Sequence, residues 1–240
     1  MKVTPFRGAV WLSTNSPLIL VRVKNMARHD VLIVGTRCAG APLAMLLARC
    51  GCKVLGVDRA QFPSDTVSTH FMWPRTTASL ARWGLLDRLA ATGCPMVNQV
   101  TADYGTIALR GRPSAVDGTA VMYSPRRTVL DKLLVDAARQ AGAEIREATS
   151  FRELVWENGQ VVGARLQDAN GRVTEERAAL VVGADGMWSP VARAAGAKTD
   201  VEHGSLTCGY YAYWAGVPTE GVEFYVRHGR DILVFPLTTD

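Results

Sequence analysis

The sequence predicts an α/β fold organised on a parallel β-sheet, and three observations near its start support this. Residues 31–34 are a continuous apolar run, which is typical of a parallel strand buried on both faces. A glycine-rich turn follows, and residues 41–50 are rich in Ala and Leu at helical spacing. Residues 53–57 read as a second strand, and Asp58 lies at its end. A strand, a glycine turn, a helix and a second strand in this order predict a Rossmann-like βαβ unit.

The turn has the features of a dinucleotide site. Gly35 permits a sharp turn, and Gly40 removes a side chain where the helix must pack close to the strand. The start of the helix offers unpaired backbone N–H groups and the positive end of a dipole to a pyrophosphate. Asp58 lies close to the separation of about 20 residues expected for an acid that binds a ribose. These features predict an adenine dinucleotide as the ligand.

The turn departs from the G-x-G-x-x-G fingerprint at its middle glycine, where this chain has Arg37. We expect Arg37 to point outward and to add a charged contact to the ligand. Cys38 lies in the same turn, and a small residue that fits there is favoured over a reactive thiol. A purely structural βαβ unit is the alternative, but the second strand and the acid favour dinucleotide binding.

Composition excludes several classes of protein. The 240 residues carry a net charge of +5, but residues 1–28 hold five basic residues and no acid, so the remainder is neutral. Nothing in that remainder indicates a nucleic-acid surface. The five cysteines lack paired C-x-x-C spacing, which argues against a disulfide framework and against a metal site. Reduced thiols favour a cytoplasmic location.

Residues 1–27 differ from the rest of the chain. They are basic, and a polar stretch at residues 13–17 interrupts their apolar run. We expect a disordered extension, or upstream sequence from a start codon placed before Met26; a targeting peptide is the alternative. No stretch of the chain is long enough to span a membrane.

The middle of the chain alternates loops, helices and short strands. Residues 61–71 are polar and aperiodic and therefore predict a loop, which contains the candidate acid or base His70. A structural, hydrogen-bonded role for His70 is the favoured interpretation. Pro74 predicts the start of a helix that Gly84 ends, and a short helix is expected over residues 85–89. Residues 96–122 read as short β-segments between glycine and proline turns.

The second half predicts a return to the parallel sheet. Ser124 as N-cap and Pro125 at the first position predict a helix with Arg126 and Arg127 in its first turn. Two cations there oppose the helix dipole, which indicates either an anionic partner or solvent exposure. Later segments predict a β-meander over residues 149–178, a buried strand over 179–184, a short helix over 189–195 and β-structure over 204–240. In the last segment we expect most of an aromatic cluster to pack beneath a sheet: Tyr210, Tyr211, Tyr213 and Trp214.

Three motifs in a fixed order resemble the FAD-dependent oxidoreductases of the aromatic-hydroxylase and geranylgeranyl-reductase type, which are similar to class A flavoprotein monooxygenases. They are the glycine turn with Asp58, the R-x-x-L-D helix start at Arg127, and the G-A-D-G-x-x-S motif from Gly183 to Ser189. The resemblance covers roughly residues 29–240. It implies FAD as cofactor, NAD(P)H as transient electron donor and a small-molecule substrate. It also implies a cofactor-binding set: Gly35, Arg37, Cys38, Ala39, Gly40, Asp58, Arg59, Arg127, Gly183, Asp185 and Gly186.

The resemblance also implies the domain organisation. Residues 28–97 and 120–200 are expected to form a discontinuous FAD-binding domain with a three-layer sheet and a β-meander. Residues 98–119 and 201–240 are expected to form part of a β-rich substrate domain. No later Gly-Asp motif follows the GADG turn. We therefore expect an enzyme truncated at its C-terminus, whose 240 residues alone bind FAD weakly and turn over poorly.

The predicted function is an FAD-dependent oxidoreductase, an NAD(P)H-driven monooxygenase or reductase acting on a small hydrophobic or aromatic molecule. Two alternatives stay open: a nicotinamide-dependent Rossmann dehydrogenase and a non-catalytic FAD-binding remnant. The sequence does not identify the substrate, the choice between NADH and NADPH, or the oligomeric state.

Overall fold

A computed structural model describes residues 28–204 and 206–237. The expectations for residues 1–27 lie outside the described residues. Five helices occur in the described part: α1 (Gly40–Arg49), α2 (Pro74–Trp83), α3 (Leu86–Ala90), α4 (Arg127–Gln140) and α5 (Pro190–Ala194). The strands there are β1 (His29–Val34), β2 (Val54–Val57), β3 (Met96–Val97), β4 (Val100–Asp103), β5 (Ala108–Gly111), β6 (Met122–Tyr123), β7 (Glu144–Arg146), β8 (Ser150–Glu157), β9 (Gln160–Gln167), β10 (Val173–Gly183), β11 (Val222–Arg227) and β12 (Arg230–Val234). The predicted α/β fold class is confirmed.

The described residues group into two compact units. The first comprises residues 28–62 and 134–198, and the second comprises residues 63–133 and 199–237 apart from residue 205. This grouping differs from the expected domain boundaries because residues 63–97 and 120–133 fall in the second unit. Met72 pairs with Tyr123, and β3 pairs with β6, so these segments are joined to each other. The functional assignment of the domains stays a prediction.

The first unit contains a six-stranded sheet in the order β7-β2-β1-β10-β9-β8. Strand β1 lies between β2 and β10 and runs parallel to both. Its apolar run is buried on both faces, with Leu32 and Ile33 each 0% exposed, as the sequence predicts. Each such side chain contributes about 2 kcal/mol to folding. The first unit is therefore built around the strand that leads into the glycine turn.

The expected meander and the expected buried strand are parts of one element. Strand β10 is 11 residues long; its first half pairs antiparallel with β9 and its second half pairs parallel with β1. The prediction of a separate buried strand over residues 179–184 is therefore wrong in its start. It is also wrong in its burial, since Leu180 is 38% exposed and Val181 and Val182 are only partly buried. The pairing of Arg177 with Gly163 ends next to the pairing of Ala178 with His29, so the chain needs no turn between them.

The second unit contains a four-stranded sheet in the order β12-β11-β4-β5. Strands β11 and β12 form an antiparallel hairpin, and β11 runs parallel to β4. A small core of Val97, Met122 and Val222 packs with partly buried Phe71 and Phe224. This sheet joins segments from residues 98–119 and 201–240, which the sequence analysis expected in one β-rich part.

Two local expectations for the second unit are wrong. Helix α4 begins at Arg127, and Ser124 is fully buried with no hydrogen-bond partner for its hydroxyl, so it does not cap the helix. Residues 206–220 contain no strand. Tyr210 is 94% exposed and Trp214 is 80% exposed, so the cluster does not pack beneath a sheet.

Candidate functional site

Three chain segments meet at one edge of the first unit's sheet. The register pairs Val34 with both Val57 and Gly183, so β1, β2 and β10 end side by side. Gly35 donates its N–H to the Val57 carbonyl at 2.8 Å, and Ala184 donates to the Val34 carbonyl at 2.7 Å. Because ligands of open α/β sheets bind beyond the carboxyl ends of the strands, this edge is the candidate cofactor site.

Sterics explain both glycines of the turn. Gly35 has φ +91°, and a Cβ there would clash with the carbonyl oxygen of Ala184. A Cβ on Gly40 would clash with the carbonyl oxygen of Gly35. The helix N-terminus therefore packs directly against the end of β1. No larger side chain fits at Gly40 while the turn is closed.

The start of helix α1 fits a phosphate group. Its first turn contains no acid, and no side chain caps it. Two buried polar atoms nearby have no hydrogen-bond partner: the Thr36 hydroxyl and Oδ1 of Asp185. Buried polar atoms without partners are uncommon in folded proteins and need an explanation. The positive end of the helix dipole together with this unpartnered hydroxyl is suited to the oxygens of a bound pyrophosphate.

Both carboxylate oxygens of Asp58 accept hydrogen bonds from backbone N–H groups of the chain. Its Oδ2 accepts the Thr36 N–H at 2.8 Å, and its Oδ1 accepts the Ala60 N–H at 2.9 Å. The residue is only 6% exposed. Asp58 therefore joins the glycine turn to the chain that follows β2. Each oxygen has a second lone pair, which leaves it able to accept a hydrogen bond from a ribose hydroxyl.

The remaining residues of the turn lie at its surface. The Arg37 guanidinium stands over the Phe62 ring, 5.3 Å from the ring centroid. The Phe62 backbone N–H donates to Glu147 at 2.7 Å, which fixes the backbone at this residue. Cys38 and Ala39 are exposed. Arg37 thus contacts an aromatic ring of its own unit, and its predicted contact with the ligand stays a prediction.

The G-A-D-G motif supports the short helix that follows it. Oδ2 of Asp185 accepts the Val191 N–H at 3.0 Å, and the Ser189 hydroxyl accepts the Ala192 N–H at 2.9 Å. Gly186 has φ +90°, a conformation that favours glycine. Arg193 donates to the Trp188 carbonyl at 2.7 Å. The motif is therefore held at the strand end by capping of α5.

Comparison with known proteins identifies the family. A family model described as an FAD binding domain matches residues 28–238. The chain belongs to this family. The predictions of a flavoprotein and of FAD as cofactor are confirmed, and membership favours them over the nicotinamide-dependent dehydrogenase.

Similar curated proteins are archaeal reductases. The digeranylgeranylglycerophospholipid reductase of Methanosarcina acetivorans is 30% identical over 214 residues, which cover 87% of this chain and 51% of that protein. The Methanosarcina mazei protein of the same name is 31% identical over 224 residues, covering 87% and 52%. The chain spans about half the length of the curated relatives it matches.

Solved structures show the same fold as this FAD binding domain. The myxobacterial chondrochloren halogenase CndH, an FAD-dependent halogenase, matches with TM-score 0.72 and 20% identity over 88% of this chain and 50% of its own. A geranylgeranyl bacteriochlorophyll reductase-like protein of Thermoplasma acidophilum matches with TM-score 0.70 and 23% identity, covering 88% and 54%. PqsL of Pseudomonas aeruginosa, a probable FAD-dependent monooxygenase, matches with TM-score 0.68 and 23% identity, covering 88% and 58%.

Most of the predicted cofactor-binding residues lie together in the first unit, and Arg127 lies in the second. Arg127 forms two hydrogen bonds of 3.0 Å with Asp131, one turn further along α4. The Asp131 side chain is 0% exposed and that of Arg127 is 13% exposed. The two first-turn cations, for which an anionic partner and solvent exposure were both open, contact carboxylates of the chain: Arg127 contacts Asp131, and Arg126 contacts Asp65.

His70 belongs to a side-chain cluster that sequence reasoning missed. Its Nε2 lies 3.1 Å from the Tyr213 hydroxyl, and it is only 4% exposed. The Arg126 guanidinium stands 4.7 Å from the centroid of the Tyr213 ring and also contacts Asp65 at 2.6 Å. These contacts fit the favoured structural role of His70. The one local signal for the cluster was the unfavourable placement of Arg126 beside Arg127.

Two classes of site are absent from the described residues. No helix in residues 28–204 and 206–237 is both long and apolar enough to cross a membrane. Across the same described part, His, Cys, Asp and Glu side chains form no group of three or more that could hold a metal ion.

Proposed function

We propose that this chain is the FAD-binding part of an NAD(P)H-driven oxidoreductase that acts on a small hydrophobic or aromatic molecule. One observation supports the cofactor site above all others. The uncapped start of helix α1 and the unpartnered Thr36 hydroxyl lie at the edge where β1, β2 and β10 end. Family membership supports the same cofactor independently.

The residues of this edge have separate roles in the proposal. The turn from Gly35 to Gly40 binds the pyrophosphate through the positive end of the α1 dipole and the Thr36 hydroxyl, because its two glycines let the helix N-terminus lie against the end of β1. Arg37 adds positive charge from its place over Phe62. Asp58 fixes the turn and accepts a ribose hydroxyl. The rest of the proposed set in the first unit is Cys38, Ala39, Arg59, Gly183, Asp185 and Gly186. Arg127 is included by resemblance alone.

Bound FAD would supply hydride or dioxygen chemistry, and the protein would bind it, orient it and exclude water. The names of the similar curated proteins support a hydrophobic substrate, since they are digeranylgeranylglycerophospholipid reductases. No residue of the described chain is assigned as catalytic acid or base. His70 keeps a positioning role in the proposal because its ring is buried against Tyr213.

The test is to incubate the purified chain with FAD, remove free flavin by desalting, and record the visible absorption spectrum. Because the 240 residues alone are expected to bind FAD weakly and to turn over poorly, we expect only part of the flavin to remain after desalting and NADH or NADPH oxidation to be slow. The same chain titrated with excess FAD should show saturable spectral changes. Gly111→Ala is the control and should behave like the native chain, because Gly111 faces open space and lies in the second unit. A folded native chain that retains no flavin and shows no spectral change with excess FAD would contradict the proposal.

A further inference from the structure

The segment of residues 206–218 has very few attachments of its own. Within the described residues it makes no backbone–backbone hydrogen bond, and one side-chain hydrogen bond, from Tyr213 to His70, joins it to another segment. It also exposes large apolar side chains, with Leu206 87% and Tyr210 94% exposed. A segment with these properties opens easily unless a few strong contacts hold it.

Those contacts converge on Tyr213. Its hydroxyl lies 3.1 Å from Nε2 of His70, and its ring lies under the Arg126 guanidinium at 4.7 Å. Arg126 is fixed in turn by the 2.6 Å ion pair with Asp65. Tyr211 packs edge-to-face on the Tyr213 ring, with centroids 5.6 Å apart. Asp65, Arg126, Tyr213 and His70 are called the clasp below.

His70 is held in an unusual backbone conformation at the base of the clasp. Its φ is +54°, which only a few per cent of non-glycine residues adopt. Its N–H donates to the Ser68 hydroxyl at 3.2 Å. Such strain persists only where surrounding contacts determine the geometry. The strained backbone at His70 therefore places the imidazole next to Tyr213, the residue that anchors the segment of residues 206–218.

We propose that the clasp fastens residues 206–218 to the loop of residues 63–71, and that it loosens when His70 takes up a proton. With the proton absent from Nε2, the ring accepts the Tyr213 hydroxyl hydrogen. A proton on Nε2 removes that acceptor and places a buried cation close to the Arg126 guanidinium. The proposal concerns a conformational control and does not depend on flavin binding.

The charged groups near His70 determine whether the clasp becomes more or less stable as the pH falls. Burial, then the positive charges of Arg126 and Arg127, lower the pKa of His70, while Asp65 and the Pro125 backbone oppose this. The folded clasp therefore binds fewer protons than the open segment. The clasp is most stable above the ordinary histidine pKa of about 6.5 and loses stability as the pH falls below it.

The neighbouring carboxyl and phenol keep their charge states over this range. The hydrogen bond from Arg126 lowers the pKa of Asp65, so Asp65 stays ionised. Burial and the Asp65 charge raise the pKa of Tyr213, so Tyr213 stays protonated. His70 is thus the titrating member of the clasp near neutral pH.

Limited digestion with chymotrypsin measures opening of the segment directly. Cuts after Tyr210, Tyr211 and Trp214 are quantified by mass spectrometry and divided by the cut after Trp188, which is 76% exposed and lies in the first unit. This ratio removes the pH dependence of the protease. For the native 240-residue chain we expect the ratio to rise several-fold between pH 7.5 and pH 5.5.

Three variants test the parts of the clasp. Tyr213→Phe removes the hydroxyl alone, and we expect a ratio about fivefold above the native chain at pH 7.5. Arg126→Gln removes both the ion pair and the ring contact and should raise it further. His70→Asn tolerates the positive φ and should abolish the pH dependence.

Tyr225→Phe is the matched control. Tyr225 also bonds a side chain through its hydroxyl, to Glu223 at 2.6 Å, and also lies under an arginine, Arg227 at 5.9 Å. We expect its ratio to equal that of the native chain. Circular dichroism confirms that each variant is folded. An unchanged ratio in folded Tyr213→Phe, or a pH dependence that persists in His70→Asn, would overturn the proposal.

Discussion

The glycine turn of the first unit is joined largely through backbone atoms, whereas the clasp of the second unit is joined through side chains. In the turn, Asp58 accepts the N–H of Thr36 across 22 residues of sequence. In the clasp, Tyr213 reaches His70 across 143 residues. A turn held by close backbone packing tolerates few substitutions, and its glycines form a recognisable local pattern in the sequence. A cluster held by side chains can be dismantled one contact at a time, and it leaves almost no local pattern in the sequence.

The largest effect is expected at the turn itself. Gly40→Ala places a Cβ against the Gly35 carbonyl oxygen, so the turn cannot close without moving the helix. We expect the free energy of unfolding to fall by about 4 kcal/mol or more, with loss of FAD binding. Urea unfolding and flavin titration measure both quantities. Gly111→Ala should change neither, and a Gly40→Ala protein of native stability would show that the turn is not sterically closed.

A buried ion pair comes next. Arg127→Gln leaves the fully buried Asp131 carboxylate without its two hydrogen bonds from Arg127. We expect a loss of about 3 kcal/mol in unfolding free energy, since removing one member of a buried ion pair is costly. The double variant Arg127→Gln/Asp131→Asn should recover most of it in the same urea measurement. Equal losses in the single and double variants would argue that Arg127 acts through other contacts.

Asp58 tests whether the acid of the turn fixes the backbone. Asp58→Ala leaves the buried Thr36 and Ala60 N–H groups without acceptors, and we expect a loss of about 2 kcal/mol in the flavin-free protein. Asp30→Ala is the control, because Asp30 accepts one backbone N–H, from Lys53 at 2.8 Å, at an exposed site. The control should lose less than about 1 kcal/mol. If Asp58→Ala weakens FAD binding without changing stability, Asp58 contributes only as a ligand.

The smallest effect on global stability is expected at the clasp. Asp65→Asn weakens a half-exposed ion pair, so unfolding free energy should change by less than about 0.5 kcal/mol. Hydrogen exchange of residues 206–218 should nevertheless accelerate, because the change acts on a local opening. Arg82→Gln, which removes an exposed pair with Asp117, is the control and should leave that exchange unchanged. If Asp65→Asn lowered the free energy of unfolding by as much as is expected for Asp58→Ala, the clasp would contribute to global stability as the glycine turn does. That result would contradict the difference proposed between the two regions.

The sequence predicted the parts of the fold that short-range rules control. The apolar strands, the two glycines and Asp58 follow from local sterics and spacing, and the structure confirms the strands, helix and turn they predict. The start of helix α4 could not be predicted this way. Ser124 and Pro125 form a valid capping signal, but β6 ends at Tyr123 and pairs with β3, which keeps Ser124 buried ahead of the helix.

The clasp shows what local rules cannot supply. Nothing near Tyr213 in the sequence indicates His70 or Arg126 as its neighbours, because the contacts depend on chain segments far apart. The sequence also predicted that the aromatic side chains around Tyr213 pack beneath a sheet, whereas they are exposed. A pattern of apolar residues does not reveal whether another surface of the protein lies beside them. The adjacent Arg126 and Arg127 were informative because two cations at a helix start are locally unfavourable.

The most direct test of the account is a competition titration of the 240-residue chain with FAD, followed by flavin fluorescence, with ADP or FMN as competitor. We propose that the glycine turn binds the pyrophosphate and adenosine half of the cofactor. We therefore expect saturable FAD binding that ADP displaces and FMN does not. Binding that FMN displaces and ADP leaves unchanged would contradict the assignment of the glycine turn as the dinucleotide site.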